Sequence, residues 1–285
     1  MISIIICSRK KDPPEILRRN ISDTVGVEFE LVTIDNSNNG YSLFSAYNEG
    51  VRRSKGDILC FCHDDILFHS GNWGSTIQEL FSDESVGALG VIGTHFLPNA
   101  PMYWWSSPFI SQYSINNDNG EVSLNDNRDY FHEHLADVVA IDGVCFFIPK
   151  RLFSSIRFDD KTYDGFHVYD MDISMQVQKL GKRVCVTDVL TIEHFWSEAS
   201  LKDKKYMAIL DNNLNLFQKK WEKDLPMVRG IDEPETVIHR VNNLCIQAYE
   251  ATRVRRSKAY RFGRLLIKPL KAFKKKVSLA LNHDS

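Results

Sequence analysis

Residues 54–65 read Ser54-Lys55-Gly56-Asp57-Ile58-Leu59-Cys60-Phe61-Cys62-His63-Asp64-Asp65, an apolar run that stops in three polar residues. Asp57–Cys62 has the length and continuous hydrophobicity of a strand buried on both faces. Working outward, Ile2–Cys7, Glu28–Ile34 and Val86–Ile92 read as further strands. Helical patterns separate them. Pro13 and Pro14 open one that runs to about Ser22, with proline tolerated in the first turn. Tyr41–Ser54 carries apolar residues at 43, 44, 47 and 51, and Trp73–Phe81 is a third helical stretch. This alternation predicts an α/β fold with a Rossmann-like, mostly parallel central sheet and helices on both faces.

Residues 94–136, rich in Asn, Pro and aromatics, lack a clean period and predict a functional loop or a small excursion outside the core. The rhythm resumes with strands at Val138–Ile148 and Val184–Ile192 and a helix over Tyr169–Leu180, with Gly181 as its C-terminal cap. Helices are expected from about Leu201 to Trp221 and over 234–257.

The chain has 285 residues, 43% hydrophobic and 25% charged, which excludes wholesale disorder, a collagen-like chain or a disulfide-stapled miniprotein. It holds no apolar stretch of about 18 residues, so no membrane-spanning helix is expected. Arg9, Lys10 and Lys11 follow the apolar start, the reverse of a secretory signal, so no export is expected. Six scattered cysteines read as buried free thiols of a reducing cytoplasm. The net charge of −2 conceals a balance of +10 over residues 251–285 against −12 over the rest. An acidic body with a basic tail points to an anionic surface as the tail's partner.

In doubly wound sheets, ligands bind beyond the carboxyl ends of the strands. Three polar clusters fall there: Ser8-Arg9, Asp35-Asn36 and His63-Asp64-Asp65. Neither G-x-G-x-x-G in the first turn nor a P-loop is present, which disfavours a dinucleotide-binding dehydrogenase and a P-loop enzyme. Side chains alternate along a strand, so His63 and Asp65 face one way and Asp64 the other. His63 and Asp65 suit Mg2+ or Mn2+ beside a diphosphate, and equally suit a polar loop whose aspartates cap the next turn.

Ile2–Ser8, Val32-Thr33-Ile34-Asp35-Asn36-Ser37, Asn48-Glu49-Gly50 and the 54–65 stretch, in that order, resemble the nucleotide-binding half of family 2 glycosyltransferases, which have the GT-A fold. The resemblance implies that Asp35 contacts the base of a nucleotide sugar, and that Asp65 is the main metal ligand in a D-x-D-type motif where His63 replaces the first Asp. It extends to Ile141–Lys150, a strand leading into the acceptor site, and to Phe166–Ser174, an E-D-x-D-type helix start where Tyr169 replaces Glu. Asp170 is then the catalytic base. Inverting transfer needs such a base, and a carboxylate two residues on, Asp172, would raise its pKa; both aspartates equally suit a helix N-terminus. His194, in a His-x-x-Ser pattern, falls near the metal and phosphates of the family.

The implied protein is a metal-assisted inverting glycosyltransferase using Mn2+ or Mg2+, a nucleotide-sugar donor (a UDP-sugar foremost) and a glycan or lipid-linked acceptor. Ser8, Arg9, Asp35, Asn36 and Asp64 fall to the donor. Asp142, Trp104 and Asp172 fall to the acceptor, although Trp104 and Trp105 equally suit packing. Asp65, His63 and His194 fall to the metal. Residues 1–225 form the GT-A domain, 1–93 for donor binding and 94–225 for acceptor and catalysis, with 226–285 a helical extension. Within it, Arg261–Val277 alternates cations with an apolar stripe interrupted by Pro269, suited to peripheral attachment on an anionic membrane rather than to nucleic acid. A nucleotidyltransferase on a similar sheet and a non-catalytic glycan-binding or scaffold protein are the rival readings.

Overall fold

A computed structural model describes residues 1–195, 204–232 and 234–256. Its central sheet has seven strands in the order β10 (Leu135–Asp137), β13 (Arg183–Thr187), β5 (Val86–Gly90), β12 (Cys145–Pro149), β3 (Ile58–Cys62), β1 (Ile2–Ser8) and β2 (Phe29–Asp35). Five run parallel; β10 and β12 run against them. The mostly parallel α/β sheet is thus the one the alternation predicts. β1 shows why it forms: Ile2, Ile4 and Ile6 face one core and Ile5 the other, all fully buried. Helices α1 (Glu15–Thr24) and α3 (Trp73–Leu80) cover the first face through Leu17, Ile21, Trp73 and Ile77. α2 (Leu43–Arg53), α4 (Tyr169–Lys179) and α5 (Lys204–Trp221) cover the second through residues such as Phe44, Tyr47, Ile173 and Phe217.

Three differences from the sequence reading matter for function. The stretch 94–136 is largely ordered structure, carrying β7 (Phe96–Leu97), β8 (Ile110–Asp118), β9 (Glu121–Asn127) and β10. β8 joins a second sheet of order β11 (Ala140–Ile141), β6 (Ile92–Thr94), β8, β14 (Ile192–His194), β4 (Ile66–Phe68), with β9 paired to β8. The runs 86–92, 138–148 and 184–192 each break in two, because the chain passes from one sheet to the other within them. The third difference lies beyond Pro226. Met227–Val228 forms β15, which pairs with β7, before α6 (Pro234–Thr236), a π-helical turn Val237–Val241 and α7 (Asn242–Arg256). The basic amphipathic stretch Arg261–Val277 lies outside the described residues. Among those described, no helix is long and apolar enough to cross a membrane, and the six cysteines are free, four of them buried.

The second core centres on Phe61, which is fully buried with ring centroids 5.0 Å from each of Tyr47, Phe146 and Phe158. Phe61→Ala should cost about 3–5 kcal/mol, because strands on both sides prevent the cavity from collapsing. The expected readout is a lower urea midpoint with an unchanged slope.

Candidate active site

β3 ends at Cys62 and β4 begins at Ile66, so His63-Asp64-Asp65 is the corner at which the chain leaves the central sheet for the second one. Two pairings deliver partners to that corner. Antiparallel β14 places His194 opposite Ile66, and the backbone N–H of Phe195 donates to the Asp65 carbonyl at 2.9 Å. His194 Nε2 then lies 3.5 Å from Asp65 Oδ1, and His63 Nδ1 lies 3.7 Å from the same oxygen. One ligand atom from each of His63, Asp65 and His194 falls within 4.8 Å of the others, the spacing a single metal ion needs. Burial would raise the Asp65 carboxyl, but its hydrogen bond with His194 and the two imidazoles hold it below its ordinary value. Burial pushes His63 down, favouring the neutral imidazole that metals bind.

The second delivery is β12, antiparallel between β3 and β5, with Cys145 opposite Cys62. The turn before it, Asp142-Gly143-Val144, therefore abuts the corner, and the His63 N–H donates to the Val144 carbonyl at 3.0 Å. α4 starts against the same turn. Val168, its N-cap, is fully buried at φ 67°, a left-handed conformation that is strained for a β-branched residue. Tyr169 follows and reaches His63, with its hydroxyl 3.0 Å from Nε2. Asp170 comes next, 1% exposed. Its Oδ1 accepts from the Met171 N–H (2.8 Å), and its Oδ2 accepts from the Gly143 N–H (3.1 Å) and the Tyr103 hydroxyl (3.4 Å). Burial pushes its carboxyl up to about 7; the charge of Asp142 adds to this, while the backbone N–H groups oppose it.

The carboxylate that acts on Asp170 is thus Asp142, not its helix neighbour Asp172. Asp172 turns the other way, into a buried network with Lys220 (2.8 Å), the Trp221 indole (2.8 Å), the Tyr163 hydroxyl (3.0 Å) and Gln176 (2.7 Å). It anchors the end of α5, with its carboxylate taken up by Lys220, Trp221, Tyr163 and Gln176. Burial also raises Asp142, whose Oδ1 accepts from the Val144 N–H at 2.6 Å.

The first two strand ends connect to the corner. Ser8 Oγ donates to Asp64 Oδ2 at 2.6 Å, and the Asn36 N–H donates to the Ser8 carbonyl at 2.8 Å. The Asn36 side chain is held by the backbone of Tyr41, whereas Asp35 is exposed and accepts from Ser37. Arg9 is exposed, its guanidinium 6.0 Å from the ring centre of Phe166. Trp104 is buried and packs with Tyr103 and Trp105, and Trp105 remains 45% exposed. Sequence reasoning missed the roles of Tyr103, Gly143 and the Tyr169 hydroxyl; among these, only the departure at Tyr169 gave a signal.

Residues 4–221 match a family described as a glycosyltransferase like family. The chain belongs to this family. The matched residues carry the central α/β sheet, in which one antiparallel strand is inserted among five parallel ones. The streptomycin biosynthesis protein StrF of Streptomyces griseus is 29% identical over 160 residues, 55% of this chain and 53% of that protein. The chain thus spans about half the length of that curated relative. Among solved structures, GalNAc-T7 with UDP, GalNAc and Mn2+ is 12% identical with a TM-score of 0.46, over 68% of this chain and 44% of that one. A197 from STIV is 11% identical with a TM-score of 0.39, over 69% and 86%.

The buried Asp170 sets a pH dependence of stability. Its folded pKa of about 7 lies above the unfolded value near 3.8, so folding is penalised wherever the carboxylate must be charged. The penalty is absent below pH 4, grows between pH 4 and 7 and is constant above. Urea unfolding of wild type and Asp170→Asn should show the variant gaining relative stability across that window, by about 4 kcal/mol at most.

Proposed function

We propose that the chain transfers a sugar from a nucleotide-sugar donor, foremost a UDP-sugar, to a hydroxyl of a glycan or lipid-linked acceptor with inversion. One observation carries the reading. A carboxyl with a pKa near neutrality, Asp170, follows directly on Tyr169, whose hydroxyl touches His63 in the group able to hold a metal. On this reading the general base and the diphosphate site lie along one wall.

Asp170 accepts the proton of the acceptor hydroxyl, which takes the position of the Tyr103 phenol on Oδ2. The N–H of Gly143 keeps that oxygen oriented. Asp65, His63 and His194 fit a divalent ion, Mn2+ or Mg2+, which when bound would supply positive charge to the departing diphosphate. Exposed Arg9 adds a cation on the donor side. Ser8 and Asp64, which are hydrogen-bonded to each other, would line the donor side with it, and Asp35 and Asn36 are the residues assigned to the base. Asp142 and exposed Trp105 face the acceptor, with Trp104 packed behind.

The test incubates the protein with a panel of nucleotide sugars and Mn2+ and follows nucleoside diphosphate release. One donor should be hydrolysed slowly, with an acid limb near pH 7 set by Asp170. Asp170→Asn should lower the rate about 10²- to 10⁴-fold. Pyrophosphate release would instead indicate nucleotidyl transfer. Failure to bind any donor would indicate a glycan-binding protein.

A further inference from the structure

The two positions at which the sequence departs from the glycosyltransferase pattern, His63 and Tyr169, touch each other. The contact is 106 residues long in sequence and 3.0 Å long in space. Its geometry is imposed from several sides. The Tyr169 ring is 3% exposed and wedged edge-on against Phe44 and Tyr47. Its hydroxyl occupies space that only a glycine at 143 leaves open, since a Cβ there would lie 1.9 Å from the phenol oxygen. On the other side, the His63 backbone is tied to Val144. The phenol therefore has one position, with its oxygen 3.0 Å from the imidazole Nε2.

A metal-binding histidine usually donates its second ring N–H to an outer partner, which selects the tautomer and aims the free lone pair. Here the Nε2 side faces Tyr169 and the Nδ1 side faces Asp65. Resting on the metal reading above, we propose that Tyr169 is the positioning residue that holds His63 as its Nε2–H tautomer, so that Nδ1 joins Asp65 and His194 in a two-histidine, one-carboxylate site that takes a transition-series divalent ion in preference to Mg2+. Nitrogen-containing sites bind first-row divalent ions in an order that rises from Mn2+ through Co2+ towards Zn2+, whereas Mg2+ demands an oxygen shell and keeps its waters. Tyr169 touches no metal and acts through His63 alone.

Metal binding to the full chain, without substrate, tests this. Free Mn2+ is counted by electron paramagnetic resonance in wild type, Tyr169→Phe and His63→Ala, with Mg2+ as competitor and Co2+ absorption as a second probe. Wild type should bind Mn2+ and yield it to Mg2+ only at about tenfold or greater excess. Tyr169→Phe, which removes one oxygen, should weaken Mn2+ about 10- to 100-fold and shift the Co2+ bands. His63→Ala should weaken it further and lose the discrimination against Mg2+.

Nitrogen-15 spectra of wild-type imidazoles give an answer that needs no variant. His63 should carry its proton on Nε2, and Zn2+ should move Nδ1. Equal Mn2+ affinity and an unchanged Co2+ spectrum in wild type and Tyr169→Phe overturn the role of Tyr169, as does a proton on Nδ1. Equal competition by Mg2+ overturns the selectivity. Failure of wild type to bind Mn2+ or Co2+ at millimolar concentration overturns the metal reading itself, and this inference with it.

Discussion

Asp170 and Asp172 are both almost wholly removed from water, two residues apart at the start of one helix, and the fold meets the cost of burying each carboxylate in a different way. Asp172 is compensated: an ammonium, an indole N–H, a phenol and an amide surround it. A buried charge so paired is a structural anchor, and removing one partner would leave the rest stranded. Among the described residues Asp170 receives hydrogen bonds and no cation, with a second carboxylate near it. Its charged form is therefore held close in free energy to its neutral form. That difference separates a structural post from a carboxyl able to exchange a proton near neutral pH, and it follows from which side of the helix each residue faces.

The inserted antiparallel strand β12 makes this possible. A sheet of parallel strands alone would bring only strand ends to the site. By running against its neighbours, β12 brings its starting turn there, and with it the Asp142 carboxylate, the Gly143 N–H and the Val144 carbonyl. Strained Val168 completes the arrangement by turning the chain so that Tyr169 and Asp170 face that turn.

Much of this was legible in the sequence, for physical reasons that also mark the limit. Strands buried on both faces, such as Ile2–Ser8 and Ile58–Cys62, carry an unbroken apolar signal, and the polar residues at their ends stand out against it. The β8–β9 hairpin was hidden because its residues are mostly polar and β9 is largely exposed. Its one clear mark was Asn119-Gly120, both at positive φ in the manner of a tight hairpin turn. The proximity of His194 to Asp65 depends on a three-residue pairing of β14 with β4, too short to leave a pattern. The division of labour between Asp170 and Asp172 rests on Lys220 and Trp221, some fifty residues away, and no local reading could supply it.

The two-residue ladder between β7 and β15 is reinforced where His95 accepts the Arg229 N–H on its carbonyl and contacts the Arg229 carbonyl through Nδ1. Along the backbone it comes between α7 and α5, the helix that packs on the central sheet. A pull applied through α7 would reach this clasp before the central sheet, and a ladder so short would give way first. The corner at His63, Asp64 and Asp65 is in that sense shielded from strain that enters at α7.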